Sequence, residues 1–252
     1  MKKICIIPAR MGSSRFPGKP LVEALGLPLI IHIAKRCSLS DKLDYIVVAT
    51  CDEEIKQTCQ NHNISVIMTS DKHERCTDRV SEAIKQLKIN IKPKDLIIMV
   101  QGDEILVTPQ MIDIVIKDYE NNNYPVINLL SRIYNTMDYE DPNVVKVVSS
   151  FDQQALYFSR APIPSNYRDK EAVIYQQTGV IGFSRNFLQN FSNLSQTPLE
   201  KIESIDMLRV LEHKIPLRVV YTEQETIAID VPHDLTRALK ILEQDELVKN
   251  YA

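Results

Sequence analysis

The first hundred residues alternate continuous apolar runs with amphipathic segments, and this alternation constrains the fold more than any other feature. The apolar runs, typical of buried strands, occupy 4–8, 45–50, 64–68 and 95–103. Segments with helical spacing of apolar residues lie between them, at 28–37, 52–63 and 77–87. Near-continuous apolar strands separated by amphipathic helices indicate a parallel sheet covered on both faces. The sequence therefore predicts an α/β fold with a doubly wound, mainly parallel sheet.

After residue 124 the pattern changes to strands with few long helices between them. Strand-like runs occupy 124–133, 144–150, 155–159, 175–184, 216–223 and 226–230. Strong helical patterns are found at 198–214 and 231–249. The chain contains neither an internal repeat nor a linker-like segment. The simplest interpretation is one domain, 1–252, in which a β-rich lobe of about 125–185 is inserted.

Composition and charge exclude several classes of protein. The net charge of -3 offers no electrostatic basis for binding nucleic acid. No apolar run approaches the roughly 20 residues that span a bilayer, and Pro8 and Arg10 interrupt the first one too early for a signal peptide. The five cysteines show no C-x-x-C spacing, which favours reduced thiols. We therefore expect a cytoplasmic protein without membrane insertion.

A loop rich in glycine and basic residues follows the first predicted strand. It contains Gly12 and Gly18, two of only six glycines, and the cations Arg10, Arg15 and Lys19. Backbone N–H groups and diffuse positive charge at a strand end suit a polyphosphate. The glycine spacing matches neither the Walker loop nor the dinucleotide fingerprint. A solvated basic turn therefore remains an alternative at this point.

Two aspartates follow other apolar runs and are candidates for a metal site. Asp103 ends the fourth predicted strand, and Asp230 ends the run at 226–230. Mg²⁺ prefers one or two carboxylates together with phosphate oxygens. Asp230 could instead be a turn or cap residue before the last helix. His73 has no second histidine at ligand spacing, so the sequence does not predict a zinc site.

Several motifs, in the same order along the chain, resemble the 3-deoxy-manno-octulosonate (KDO) cytidylyltransferases. They occupy 8–21, 101–104, 141–148, 155–164 and 229–235. The resemblance implies a nucleotide-diphospho-sugar transferase-like fold and transfer of CMP from CTP to a 3-deoxy-2-keto sugar acid, with release of pyrophosphate. It also implies Mg²⁺ as cofactor, a small acidic sugar as acceptor, a place in surface polysaccharide synthesis and a homodimer.

The same resemblance assigns roles to residues. It implies a nucleotide site formed by Pro8, Ala9, Arg10, Ser13, Arg15, Lys19, His73, Arg75, Thr77, Gln101 and Gly102. It implies catalysis by Lys19, Asp103 and Asp230, with both aspartates as Mg²⁺ ligands. The implied acceptor site consists of Arg160, which suits a carboxylate, with Gln177, Thr178, Glu200 and Met207.

Departures from the family pattern are concentrated near the implied substrates. Arg75 and Cys76 replace a Ser-Gly pair, Gln177 replaces a histidine, and Met207 replaces a glutamine. A site that selects by hydrogen bonds changes its selectivity when polar groups are lost. We therefore hypothesise that the acceptor is a modified relative of KDO. The alternatives are another small anionic acceptor, such as a sugar phosphate or phosphonate, and a binding protein without turnover.

Overall fold

The computed structural model describes residues 1–13 and 15–251. Its strands are β1 (Lys3–Pro8), β2 (Glu23–Ala24), β3 (Leu27–Pro28), β4 (Tyr45–Thr50), β5 (Val66–Met68), β6 (Leu96–Val100), β7 (Val126–Arg132), β8 (Lys146–Ser149), β9 (Ala155–Ser159), β10 (Tyr175–Ser184) and β11 (Leu217–Thr222). Its α-helices are α1 (Leu29–Cys37), α2 (Glu53–Asn61), α3 (Cys76–Gln86), α4 (Pro109–Asn122), α5 (Thr136–Glu140), α6 (Arg185–Phe191), α7 (Pro198–Glu203), α8 (Met207–Glu212) and α9 (Pro232–Leu242). Short 3₁₀ helices occupy Lys19–Leu21 and Glu246–Asn250.

The central sheet has the strand order β11-β7-β10-β6-β1-β4-β5. Strands β1, β4, β5 and β6 pair in parallel, as do β7 and β11. Strand β10 runs antiparallel to both β6 and β7 and joins these two parallel groups. The prediction of a doubly wound, mainly parallel α/β sheet is confirmed. The strands and helices predicted in the first hundred residues are all present.

The sheet is covered on both faces because its strands are apolar on both sides. In β1, Ile4 and Ile6 pack into one core, whereas Cys5 and Ile7 pack into the other. Helices α3, α6 and α8 contribute to the first core, and α1, α2 and α4 contribute to the second. Burial of continuous apolar strands between two helical layers is the main stabilising term of such a fold.

The boundaries of the predicted β-rich lobe need a correction. Strands β7 and β10 lie within the central sheet, between β11 and β6, and not in a separate lobe. Of the range 125–185, only 133–174 extends beyond these two strands, and it includes the β8–β9 hairpin that pairs with the start of β10. Residue patterns indicate which segments are strands, but they do not indicate which strands pair.

Three other expectations differ from the structure. Residues 226–230 form no regular strand; the Ile229 N–H donates instead to the Asp103 carbonyl, at 3.1 Å. The helix expected at 198–214 is divided into α7 and α8 by Ser204, whose φ of 56° is left-handed. Helix α4 was not predicted, although Thr108 and Pro109 are a typical cap and first-turn pair. Among the described residues, no helix is long and apolar enough to cross a membrane.

Candidate active site

The ends of β1 and β6 bring two predicted motifs together. These strands are parallel neighbours, so their carboxyl ends open at the same edge of the sheet. The loop of 9–18 follows β1, and the 101–104 turn follows β6. A Cβ atom on Gly102 would lie 2.8 Å from the Pro8 carbonyl oxygen, so only glycine allows the two segments to approach this closely.

Lys19 lies at the centre of the site. Its side chain is only 11% exposed, and its Nζ lies 3.0 Å from Asp103 Oδ2 and 3.9 Å from Asp230 Oδ1. Lys19 Nζ also donates to the Ile229 carbonyl. Arg15 contacts Asp230 from the solvent side, at 2.7 Å. The structure therefore brings together the loop cations and the two strand-end carboxylates that the sequence singled out.

The two carboxylates are not fully satisfied by the protein. Burial raises the pKa of Asp230 above its ordinary value, and the charge of Asp103 raises it further, against the opposing effects of Lys19 and Arg15. Asp103 Oδ1 is buried and has no hydrogen-bond partner among the described residues. No cluster of three or more His, Cys, Asp or Glu suited to a metal occurs in the described part of the chain. Two carboxylates with a free oxygen fit Mg²⁺, which takes its remaining ligands from phosphate and water.

Glu104 is a residue of the site that the sequence analysis did not assign. Its side chain is 2% exposed, and Oε1 accepts a hydrogen bond from the Gly179 N–H. Oε2 has no partner within the described residues. Burial, reinforced by the charge of Asp103, raises the pKa of Glu104 to about 7. Its place directly after Asp103 was visible in the sequence, but its burial was not.

This raised pKa predicts a pH-dependent cost to stability. Because the folded-state pKa lies above the ordinary value of 4.5, Glu104 favours folding below about pH 4.5 and loses that contribution as pH rises to about 7. Glu104→Gln removes the titration while keeping the acceptor for Gly179. We expect the difference in free energy of unfolding between Glu104→Gln and the wild type to be about 2–3 kcal/mol more in the variant's favour at pH 8 than at pH 5. Urea unfolding at both pH values measures the difference; equal differences would contradict the prediction.

Two clefts meet at Asp103. The loop cleft is lined by Pro8, Ala9, Arg10, Gly12, Ser13, Arg15, Lys19, Pro20, Cys76, Gln101, Gly102 and Asp103. The sheet cleft lies on the other side and is lined in part by Gln101, Asp103, Glu104, Gln177, Thr178 and Asp230. Gln101 and Asp103 line both clefts. Both clefts therefore border the Asp103 carboxylate.

The predicted nucleotide residues of the 73–77 segment do not line the loop cleft itself. His73 and Arg75 line a smaller hollow beside Pro8, Ala9 and Arg10. His73 pairs with Glu82. Thr77 is buried inside α3, where its hydroxyl donates to Asp206. This segment therefore forms the wall behind the loop cleft.

The predicted acceptor residues are only partly brought together. Gln177 and Thr178 line the sheet cleft, where their side chains donate to Asn128 Oδ1 and the Leu129 carbonyl. Arg160 donates to the carbonyls of Glu203 and Pro142, at 2.6 and 2.8 Å.

Glu200 and Met207 require a correction. Neither side chain has exposed surface. Glu200 is held by Arg209 in a bidentate ion pair, and Met207 packs into the core. Both residues support the wall of the site from behind, so the structure contradicts their predicted direct contact with an acceptor. The helical pattern alone did not show which side chains of α7 and α8 face the core and which face the cleft.

A polyphosphate in the loop cleft and a second substrate in the sheet cleft would meet at a paired-carboxylate centre. On a doubly wound sheet, this arrangement defines a nucleotidyltransferase. The cytidylyltransferase family model matches residues 4–227, which is most of the chain. The chain belongs to this family, within the group of 3-deoxy-manno-octulosonate cytidylyltransferases.

Three relatives document this membership. A 3-deoxy-manno-octulosonate cytidylyltransferase of Thermodesulfovibrio yellowstonii is 40% identical and covers 96% of this chain and 98% of its own. An 8-amino-3,8-dideoxy-manno-octulosonate cytidylyltransferase of Shewanella sp. (strain ANA-3) is 39% identical, with coverage of 97% and 100%. A solved CMP:2-keto-3-deoxy-manno-octonic acid synthetase complexed with CTP superimposes with a TM-score of 0.87 at 32% identity, over 97% of this chain and 99% of that chain.

Proposed function

We propose that this enzyme transfers CMP from CTP to a 3-deoxy-2-keto sugar acid, KDO or a modified relative, and releases pyrophosphate. The observation that carries the proposal is that the loop cleft and the sheet cleft share Asp103, which Lys19 contacts at 3.0 Å. In-line transfer places the attacking hydroxyl and the pyrophosphate leaving group on opposite sides of the α-phosphorus, so the two substrates must be bound next to each other at one charged centre. The name of the structural relative, solved with CTP, supports the choice of nucleotide.

In this proposal CTP occupies the loop cleft. Arg10, Arg15 and Lys19 hold the triphosphate, and Ala9 and Gln101 lie against the cytidine. Since guanidinium groups bind phosphate oxygens bidentately, Arg15 would exchange part of its contact with Asp230 for the nucleotide. Lys19, held by Asp103 and the Ile229 carbonyl, remains positioned for the charge that develops on the phosphate.

Asp103 and Asp230 would hold a Mg²⁺ ion, and the free oxygen of Asp103 supports this assignment. When bound, the ion would neutralise phosphate charge and favour ionisation of the acceptor hydroxyl. The protein's own contribution is to keep both carboxylates at the junction of the clefts. The hydrogen bonds that the Asp103 carbonyl accepts from Ile105 and Ile229 keep the two aspartate-bearing segments together.

The acceptor occupies the sheet cleft, with Gln177 and Thr178 on its wall. The relatives' names divide between KDO and its 8-amino-8-deoxy form at nearly equal identity, 40% and 39%. Both are 3-deoxy-octulosonates, so the acceptor class is common to them. Replacement of a histidine by Gln177, which lines this cleft, supports a modified sugar acid rather than ordinary KDO.

Pyrophosphate release with CTP and a panel of acceptors tests the proposal. The panel contains KDO, 8-amino-3,8-dideoxy-manno-octulosonate and a sugar 1-phosphate, each with and without Mg²⁺. We expect turnover with at least one octulosonate, only with the metal, and highest kcat/KM for the modified acid. Best turnover with KDO would contradict the modified acceptor, and turnover with the sugar phosphate alone would contradict the sugar-acid class.

We further assign the enzyme to the cytoplasm, as expected where CTP is available, and to a homodimer. The exposed side chains of Phe151 and Leu156 in and before β9 support a self-association surface on the β8–β9 hairpin. Sedimentation of the wild type at micromolar concentration as a monomer would contradict the dimer.

A further inference from the structure

Two arginines from different parts of the chain converge on the junction of α7 and α8. Arg75 Nη1 donates to Ser204 Oγ at 2.8 Å, and Arg160 Nε donates to the Glu203 carbonyl at 2.6 Å. Glu203 and Ser204 are consecutive, and the left-handed Ser204 forms the turn that presents both groups. The two guanidinium groups therefore donate to the same turn between α7 and α8.

The positive charges of these arginines are poorly compensated. Among the described residues, Arg160 has no carboxylate oxygen within 4.0 Å of its guanidinium, because the Glu203 carboxylate is used by the Arg160 backbone N–H and by Ser159. The nearest carboxylate to Arg75, that of Glu200, is 4.0 Å away and already paired with Arg209. Arg75 Nε is buried and has no partner in the described part of the chain. Two cations that have no carboxylate within hydrogen-bond distance of their guanidinium groups favour binding of an anionic ligand.

A third cation continues this row toward the reaction centre. Arg160 and Arg15 contact consecutive residues, the Pro142 carbonyl and the Asn143 side chain. Burial, the charge of Arg15 and, more weakly, that of Arg75 lower the pKa of Arg160 below its ordinary value, against the opposing charges of Asp230 and Glu203. Arg160 therefore lies near both Arg15, which contacts Asp230, and Arg75.

The identity of residue 75 distinguishes this chain from the pattern of the family it resembles, which has serine there. Arginine adds a planar donor that binds carboxylates bidentately. Arg75 Nη1 is anchored on Ser204, the residue after the Glu203 carbonyl that holds Arg160, while Arg75 also lines the hollow beside Pro8, Ala9 and Arg10. Because Arg160 is the residue predicted to bind the acceptor's carboxylate, an anion that contacts both arginines would be the second substrate.

We propose that Arg75 is a specificity-determining residue for the acceptor, binding the carboxylate of the sugar acid together with Arg160. This inference rests on the proposed function, and it moves Arg75 from the predicted nucleotide site to the acceptor site. Arg160 would bind one oxygen of the carboxylate, and Arg75 would bind the other. An acceptor without a carboxylate should gain nothing from Arg75.

The test compares the full-length wild type with Arg75→Ser in steady-state pyrophosphate release. We expect KM for KDO to rise about tenfold, with KM for CTP and kcat within about twofold, because a binding contact made equally in ground and transition states is lost. With the methyl ester of KDO, which lacks the carboxylate charge, wild type and Arg75→Ser should have about the same kcat/KM, whereas with KDO their kcat/KM values should differ about tenfold. Arg75→Lys should recover part of the loss.

Lys72→Ser is the matched control, since it removes one exposed cation from the same segment and should leave every parameter within about twofold. A rise in KM for CTP alone in Arg75→Ser would overturn the proposal. An equal loss of kcat/KM with KDO and with its methyl ester would also overturn it, because it would indicate a structural role for Arg75.

Absence of pyrophosphate release by the wild type with any acceptor would instead refute the proposed function. Calorimetric titration of KDO into protein saturated with α,β-methylene-CTP then decides the Arg75 proposal separately. Binding that weakens about tenfold in Arg75→Ser supports it, and equal binding or no binding by the wild type overturns it.

Discussion

Replacing Asp103 with asparagine should lower kcat with CTP and the preferred sugar acid by about a thousandfold while leaving the fold intact. Asp103 lines both clefts, and its Oδ1 is available to a ligand. Asparagine keeps the shape and an acceptor for Lys19 but removes the charge that would hold a divalent cation. Loss of one preorganised charged group at a reacting centre costs roughly 10²–10³ in rate, and loss of a metal position costs more.

The fold should tolerate this substitution because the Asp103 backbone, not its side chain, bonds to Ile105 and Ile229. Single-turnover formation of CMP-sugar measures the chemical step, and Mg²⁺ titration measures the metal requirement. The control is Asp113→Asn, which removes a carboxylate on α4 that contacts Ser40 and Lys42. A rate within tenfold of the wild type would place the metal and the catalytic charge elsewhere.

Lys19→Met should have the second largest effect, lowering kcat/KM for CTP by about 10²–10³-fold. Lys19 is the only cation within 4.0 Å of both Asp103 and Asp230 among the described residues. Methionine fills a similar volume without charge, so the triphosphate would lose a buried donor. The Ile229 carbonyl would also lose the hydrogen bond from Lys19.

The same variant should show a stability defect that depends on pH. Because Lys19 lowers the pKa of Asp230, its removal should raise that pKa further above the ordinary value. A carboxyl with a raised folded-state pKa contributes stability at low pH and loses it as pH rises through that value. We therefore expect Lys19→Met to be destabilised by about 2 kcal/mol at pH 8 and by clearly less at pH 5.

Urea unfolding of the apo protein at both pH values measures this dependence. Lys42→Met is the matched control, because it breaks the exposed ion pair with Asp113 and should cost at most about 1 kcal/mol at either pH. A Lys19→Met defect that is independent of pH, or larger at pH 5, would contradict the electrostatic explanation.

Much of the nucleotide half of the site could be predicted from the sequence because it is local. The loop after β1 and the turn after β6 each follow an apolar strand directly, and parallel strands open at one edge. Asp230 was less certain, since it ends a segment that is not a strand. Its position depends on the hydrogen bond from the Ile229 N–H to the Asp103 carbonyl, which no local pattern encodes.

The acceptor half was predicted less well because it depends on long-range packing. Met207 and Glu200 lie within the predicted helical range 198–214, but their side chains face the core and Arg209. Glu104 was given no role, and Arg75 was assigned to the nucleotide site. Only the fold shows that Glu104 is buried at the junction of the clefts and that Arg75 lies beside Arg160.

The sequence by itself determined the α/β class, the elements of the first hundred residues, the cationic loop and the identity of both aspartates, because strand and helix periodicity and motif chemistry are local properties. The tertiary structure alone decided that β10 enters the central sheet antiparallel between β6 and β7. That placement brings Gln177 and Gly179 against the 101–104 turn and creates the sheet cleft. Strand pairing depends on the burial of distant apolar faces against each other, so the acceptor site exists only once the chain has folded.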